Sequence, residues 1–553
     1  MPTRIIRAYG HAVFTWSWQP PALPTPAHIR SVAGMNNQRL EQGFLVCTAM
    51  LAFFVVVARA SIQAITIDEA DSYLIWAARP SPSHWEPASN NHVLNSLLVR
   101  LFTSVLGPSH LTIRIPSLIG AALYISAAFA LSRLITDRIL LRWSLFVCLV
   151  YNPFVLDYLV AARGYSMALG FLMSALAATA HWHLADHAAG VSVIRGCIIS
   201  SLCLALSFAS NFSFGFVNSA ALLGIMLLAW RKLRDPHCSL KNGATPVSLS
   251  RFLAACILPG LIVTLFLSAS VVLAFPKNEL WYGATSLLET LRSVIRSSLY
   301  EVNPHIANPI VYKAASFLKP RLFPALGMVV LLQILLIARG RVWLRGGRSQ
   351  RLIELGAVLA GIPVVSLLVH WLAFKLFDLL LPMERTALYL VAFWFLTVGI
   401  AAAVPLPWRA GRLVSGSSTV VLLLLGTYFL LCLRLTYFKE WKWNADAKDL
   451  YSTIAFYNHR YDVRDVITSW RFTSVLNFYR TLSGKETFGE FTSTDQYPPG
   501  KKVYVLLYPF DAEFVAKNGL KVVYHGETSD AVVAVSPELE LATQCKAASS
   551  PAF

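Results

Sequence analysis

Three carboxylates fall within four positions, Asp68, Glu69 and Asp71, in the stretch Ile67-Asp68-Glu69-Ala70-Asp71-Ser72-Tyr73. The stretch follows directly on the first long apolar run. A carboxylate dragged into hydrocarbon costs roughly 3 kcal/mol or more, so these groups belong at a membrane surface or in a polar cavity. The chemistry open to them is proton removal, with Asp68 or its neighbour as base. Three more polar groups recur near the ends of apolar runs: Asn90-Asn91-His92; Asp157, Arg163 and Tyr165; and Lys375, Asp378, Glu384, Arg385 and Tyr389. Together they offer a base, cations able to hold a phosphate, and hydrogen-bonding side chains. Each alone has a plainer account. Arg163 and Arg385 suit snorkelling at helix ends, Asn90 and Asn91 suit a turn, His92 suits a wet interface, and Glu384-Arg385 suits a local ion pair of under about 1 kcal/mol.

The elements that must position them are membrane helices. The chain has 553 residues, of which 56% are hydrophobic and only 14% charged, against roughly 25% charged in soluble domains. Apolar runs at about 43–63, 112–133, 140–160, 165–185, 192–210, 211–230, 252–275, 322–339, 352–374, 386–405 and 413–435 predict about eleven transmembrane helices. The net charge of +18 does not point to nucleic acid, because many of the Arg and Lys residues gather in short loops. These are Arg133, Arg138 and Arg142; Arg231, Lys232, Arg234, Lys241 and Arg251; Arg339, Arg341, Arg345, Arg348 and Arg351; and Arg409 with Arg412. Eleven spans put all four loops on one side, the cytoplasm by the positive-inside rule. The four polar groups then share the opposite, extracytoplasmic side, which is what a catalytic cavity needs.

The expected organisation has three parts. Residues 1–40, without Asp or Glu, form a disordered cytoplasmic N-terminus. Residues 41–435 form the transmembrane catalytic domain, with long outside loops at 64–111 and 276–321. The first loop carries an interfacial helix ending near residue 106. The second, with Glu279-Leu280-Trp281-Tyr282, Glu301 and His305, reads as a mobile cover over the site. Residues 436–553 form a small extracytoplasmic α/β domain, with helices at 446–460 and 472–482 and strands at Val466–Trp470, Lys502–Pro509, Gly519–Tyr524 and Ala531–Val535. Eight cysteines scattered through apolar segments make neither a disulfide framework nor a cysteine metal site.

The set Asp68-Glu69, His92, Arg163-Gly164-Tyr165 and Glu384-Arg385 through Tyr389 resembles the GT-C superfamily of membrane glycosyltransferases, which includes protein O-mannosyltransferases and bacterial aminoarabinose transferases for lipid A. The resemblance covers roughly residues 43–410. The family often has a His-Pro-Pro-Leu sequence where this chain has Asn91-His92-Val93-Leu94. The resemblance implies a sugar carried on a polyprenyl phosphate, an envelope glycan, lipid or protein as acceptor, and transfer at the extracytoplasmic face of the inner membrane. Asp68 would be the general base, with Glu69 orienting the acceptor or raising its neighbour's pKa. Arg163, Arg385, Tyr165 and His92 would bind the donor phosphate, and Asn91, Tyr389, Glu301 and His305 the remaining substrate. One base without a second well-placed carboxylate fits inversion. No cofactor and no metal are expected, although Asp68, Glu69, Glu301 and His305 could gather an ion. The competing readings are a lipid-linked sugar flippase, and an O-antigen polymerase or ligase of another superfamily.

Overall fold

The computed structural model describes residues 26–82, 85, 87–185, 190–234, 247–274, 282–340, 344, 346–484, 487–494 and 496–541. Two units are distinguished, Met1–Thr48 and Ala49–Phe553. Of the expected disordered N-terminus, residues 1–25 lie outside the described residues. From Pro26 the backbone is helical, inside the segment expected to be irregular. Trp281 and Glu279 of the second long loop also lie outside the described residues.

Ten helices among the described residues are long and apolar enough to cross a membrane. They become eleven if Ile139–Val150 and Pro153–Val160, bent by 53°, form one span. The bend has a local cause. Asn152 caps the second helix by accepting from the N–H groups of Phe154 and Val155, and Pro153 occupies its first position, where its missing N–H costs nothing. The expected interfacial helix is Val93–Leu106, with Leu101, Val105 and Leu106 exposed along it. In the second loop an amphipathic helix, Leu287–Ser298, packs on the turn at Glu384–Ala387 through a Ser293 hydroxyl that accepts from Glu384 N–H at 2.9 Å. The span expected at 322 begins at Pro309.

The C-terminal part is a four-stranded sheet, β1 (Val466–Thr468), β2 (Val503–Leu507), β3 (Lys521–His525) and β4 (Ala531–Val535), in the order β1-β2-β4-β3. β1 and β2 run parallel, and the other pairs are antiparallel. The fold is thus a polytopic helical membrane protein with a small C-terminal α/β sheet. Its core does not stop at the end of the last span. Ile65, Ala70, Tyr73 and Ala77, from the acidic stretch and its flanks, share one buried apolar cluster with Leu450, Ile454, Phe472, Leu476 and Phe478. The backbone N–H of Ile65 donates to Tyr479 Oη at 3.2 Å, and that of Ile67 to Asn444 Oδ1 at 3.0 Å. The C-terminal helices therefore clamp the segment that carries Asp68.

Candidate active site

The acidic stretch is helical because Thr66 and Glu69 cap each other. Thr66 Oγ1 accepts from Glu69 N–H at 3.2 Å, and Glu69 Oε2 accepts from Thr66 N–H at 3.0 Å. This reciprocal pair is a strong N-terminal signal. The helix Ile67–Asp71 then widens into a π-turn over Ser72–Ala77. Successive helical residues point about 100° apart, so the three carboxylates diverge.

Glu69 turns inward and is buried. It takes a bidentate pair from Arg114, Nε to Oε1 at 2.8 Å and Nη2 to Oε2 at 2.7 Å, and a third bond from Ala162 N–H at 2.8 Å. Arg114 uses its remaining donors on the carbonyls of Ala60, Gln63 and Ala64, each at 2.9 Å. Burial pulls the Glu69 carboxyl upward, but the Arg114 charge and these hydrogen bonds outweigh it and hold the group below its usual range. Both oxygens are committed, which leaves Glu69 nothing with which to orient an acceptor. Asp71 turns toward Ser474 on the helix Trp470–Ser483, and burial raises its carboxyl above the usual range.

Asp68 instead turns toward two arginines, with its side chain 21% exposed. Its Oδ2 lies 3.5 Å from Arg385 Nη1 and 3.7 Å from Arg163 Nε, yet is hydrogen-bonded to neither. Arg163 is fixed by donating to Asp68 O at 3.3 Å, Ser72 Oγ at 3.1 Å and Asn90 Oδ1 at 3.3 Å. Arg385 is the second residue of the turn Glu384–Ala387, which opens with Glu384 at a φ of +47°, an uncommon conformation for a side chain with a Cβ. The guanidinium of Arg385 lies 4.7 Å from the Tyr282 ring, and Tyr282 donates to Glu384 Oε2 at 2.8 Å. Arg385 is also paired with Glu440, which in turn accepts from the Tyr158 hydroxyl.

His92 is 5% exposed, and neither ring nitrogen has a hydrogen-bond partner. Burial, then the charges of Arg163 and Arg385, hold it well below the ordinary histidine range, so it is neutral at physiological pH. Its ring meets Tyr165 edge-on at 5.8 Å, and Tyr165 meets Tyr158 at 4.9 Å. A buried polar group left unpaired calls for an explanation. Here it lies close enough to Arg163 and Arg385 to feel both charges.

Gly164 sets the approach of these parts. Its φ is +74°, and a Cβ there would stand 2.0 Å from the Ser210 carbonyl oxygen and 3.1 Å from His92 Cβ. Gly164→Ala is expected to displace both Arg163 and His92. The check is a fall in the yield of folded protein or in donor binding to below about one tenth of wild type, since strained backbone and a backbone clash together exceed about 1.4 kcal/mol.

The structure thus brings Asp68, Arg163, Arg385, His92 and Tyr165 near one another. It does not bring Glu301 and His305 to them: both are exposed, and the Glu301 carbonyl accepts from Arg434 at 3.1 Å. Nor do Asp68, Glu69, Glu301 and His305 gather. Among the described residues no three His, Cys, Asp or Glu side chains assemble a metal site. Tyr389 is buried against Phe214, ring centroids 5.8 Å apart. Asn91 is buried and its Oδ1 accepts from Ser96 at 3.1 Å, while its Nδ2 has no partner.

The expected constellation around Asp157 is a separate buried network. Asp157 pairs with Arg59, accepts from the Tyr300 hydroxyl at 2.5 Å, and accepts from Lys439 N–H at 3.1 Å. Sequence reasoning missed Arg59, Arg114 and Glu440. Arg59 and Arg114 lie inside apolar runs, where an ionisable residue is a signal by default. Glu440 lies in the aromatic-rich Tyr437-Phe438-Lys439-Glu440-Trp441 that follows the last span.

No protein-family model matches the chain, and no curated protein matches it. Among solved structures, ArnT from Cupriavidus metallidurans bound to undecaprenyl phosphate matches 90% of this chain and 98% of its own, with 12% identity and a TM-score of 0.47. The apo state of the same protein matches 90% of this chain and 99% of its own, with 11% identity and a TM-score of 0.45.

Proposed function

We propose that this chain is an integral membrane glycosyltransferase. It moves a sugar from a polyprenyl-phosphate donor to a hydroxyl of an envelope acceptor, at the extracytoplasmic face of the inner membrane. The carrying observation is the cleft in which Asp68, without a hydrogen bond on Oδ2, lies within 3.7 Å of both Arg163 and Arg385, beside an unpartnered His92. A phosphate entering there meets two guanidinium groups, whose planar forks match phosphate oxygens. A neutral His92 adds one N–H to the same anion.

The chemistry then follows. Asp68 takes the proton of the acceptor hydroxyl, the oxygen attacks the anomeric carbon, and the bond from that carbon to the phosphate oxygen breaks. The electron pair leaves on the polyprenyl phosphate, where the arginines stabilise the growing charge. A single displacement of this kind inverts the anomeric centre. Glu440 is a second carboxylate in the cleft, but Arg385 and Tyr158 hold it, so Asp68 keeps the role of base. Glu69 acts at one remove, by fixing the helix on which Asp68 rides. An apolar cavity of about 510 Å³ between the helices 190–210, 212–233 and 249–272 suits the lipid tail. It is lined by Leu204, Phe208, Phe212, Leu222 and Ile257, and Phe208 and Phe212 flank the Ser210 carbonyl that abuts Gly164.

The test is the donor dependence of transfer. Arg163→Lys and Arg385→Lys keep the charge and lose the fork. Each is expected to lower kcat/KM for the polyprenyl-phosphate sugar about tenfold to a hundredfold, the worth of one charge-assisted hydrogen bond. Unchanged kcat/KM in both variants would remove the phosphate from this cleft.

A further inference from the structure

We propose that Glu440 is a resident anion of the phosphate site, holding Arg385 in place while the cleft is empty and yielding it to the donor phosphate. The proposal rests on the reading that Arg385 binds that phosphate. The last membrane helix ends at Leu431, and the C-terminal helices begin at Ala447. The strap between them runs across the site. Phe438 is buried, 5.7 Å from the Arg59 guanidinium and 5.4 Å from that of Arg114. Trp441 is buried edge-on against Tyr158 at 5.7 Å. Asn444 bridges Ile67 N–H and the Arg471 carbonyl, at 3.0 and 2.9 Å. Between these anchors Glu440 remains a quarter exposed and reaches in to Arg385 and the Tyr158 hydroxyl.

The charge count explains why it would yield. Arg385 is shared by Asp68 and Glu440. A phosphate added to this pair sets three anions around one guanidinium, and like charges a few ångströms apart repel. Asp68 is fixed on a capped helix clamped by the C-terminal core. Glu440 lies in a turn outside any helix or strand, with a quarter of its side chain exposed, so it is the group free to turn away. Its departure also releases the Tyr158 hydroxyl toward the phosphate. When the lipid phosphate leaves, Glu440 returns and keeps Arg385 from holding the product.

The experiment is equilibrium binding of undecaprenyl phosphate to the purified full chain in detergent, for wild type, Glu440→Gln and Glu440→Asp, with steady-state transfer measured alongside. Glu440→Gln removes the competing charge and keeps the Tyr158 contact. It is expected to bind the lipid phosphate at least tenfold more tightly, and to show a lower donor KM together with a lower kcat because product leaves slowly. Glu440→Asp keeps the charge and should stay within about threefold of wild type. If Glu440→Gln does not fold, Glu440→Ala reads the same quantity with the same expected direction. Equal or weaker binding by a folded Glu440→Gln overturns the proposal and leaves the phosphate reading standing. Absence of binding by wild type and variants alike overturns both.

Discussion

Asp68→Asn is expected to fold and insert as wild type does and to lose transfer by about 10²–10⁴-fold, the usual worth of a general base. The substitution is isosteric. The carboxylate oxygen it alters has no hydrogen bond to lose, its ion pairs at 3.5 and 3.7 Å are long, and Arg385 keeps Glu440 while Arg163 keeps its bonds to Asp68 O, Ser72 and Asn90. The helix caps of Thr66 and Glu69 are untouched. Thermal unfolding in detergent should therefore move little while the rate collapses. If the variant transfers as fast as wild type, Asp68 is not the base. Glu440, the other carboxylate on Arg385, would be the next to try, ahead of Asp71, which turns toward Ser474.

The neighbouring substitution should fail in the opposite manner. Glu69→Gln leaves Arg114 as a fully buried cation without its counter-charge. Breaking a buried pair from one side costs roughly 3–5 kcal/mol. Arg114 also ties the carbonyls of Ala60, Gln63 and Ala64 to the helix 110–135. Losing that knot loosens the entry to the acidic helix and its seat on the C-terminal core. The expected readout is a large drop in unfolding temperature and in recovered protein, with activity falling in proportion to the folded fraction. A stable Glu69→Gln protein with abolished turnover would show instead that Glu69 touches substrate.

This contrast marks what the sequence carried and what it could not. The apolar runs and the Lys and Arg between them were enough to place the spans, because burial in lipid demands long unbroken apolar helices. The span at Pro309 starts before its apolar window because Lys313, Lys319 and Arg321 interrupt the pattern without breaking the helix. In the C-terminal part, Pro509 was expected to close a strand. It instead sits in the first turn of the helix Tyr508–Lys517, a position proline favours. At the site, residue types pointed to Asp68, Arg163 and Arg385, since charge at the end of an apolar run is costly, and to His92 by its place in the first long loop. Sequence adjacency, however, gave Asp68 and Glu69 a shared task. Only the 100° turn between them, and the partner Arg114 arriving from another helix, separates their roles. Glu301 and His305 carried the right chemistry on a loop whose fold takes them elsewhere. Glu440 falls within 436–553, the expected extracytoplasmic α/β domain, yet its contacts are Arg385 and Tyr158 of the transmembrane part.

The central claim is that a sugar–phosphate bond is broken in this cleft, and it is tested most directly by following the donor. Purified wild-type protein would be reconstituted in liposomes with mixed polyprenyl-phosphate sugars and extracted envelope acceptors, beside the Asp68→Asn variant. The account predicts free polyprenyl phosphate appearing in step with glycosylated acceptor, with wild type only. Movement of intact lipid-linked sugar from one leaflet to the other, with no free polyprenyl phosphate formed, would contradict it and identify a flippase.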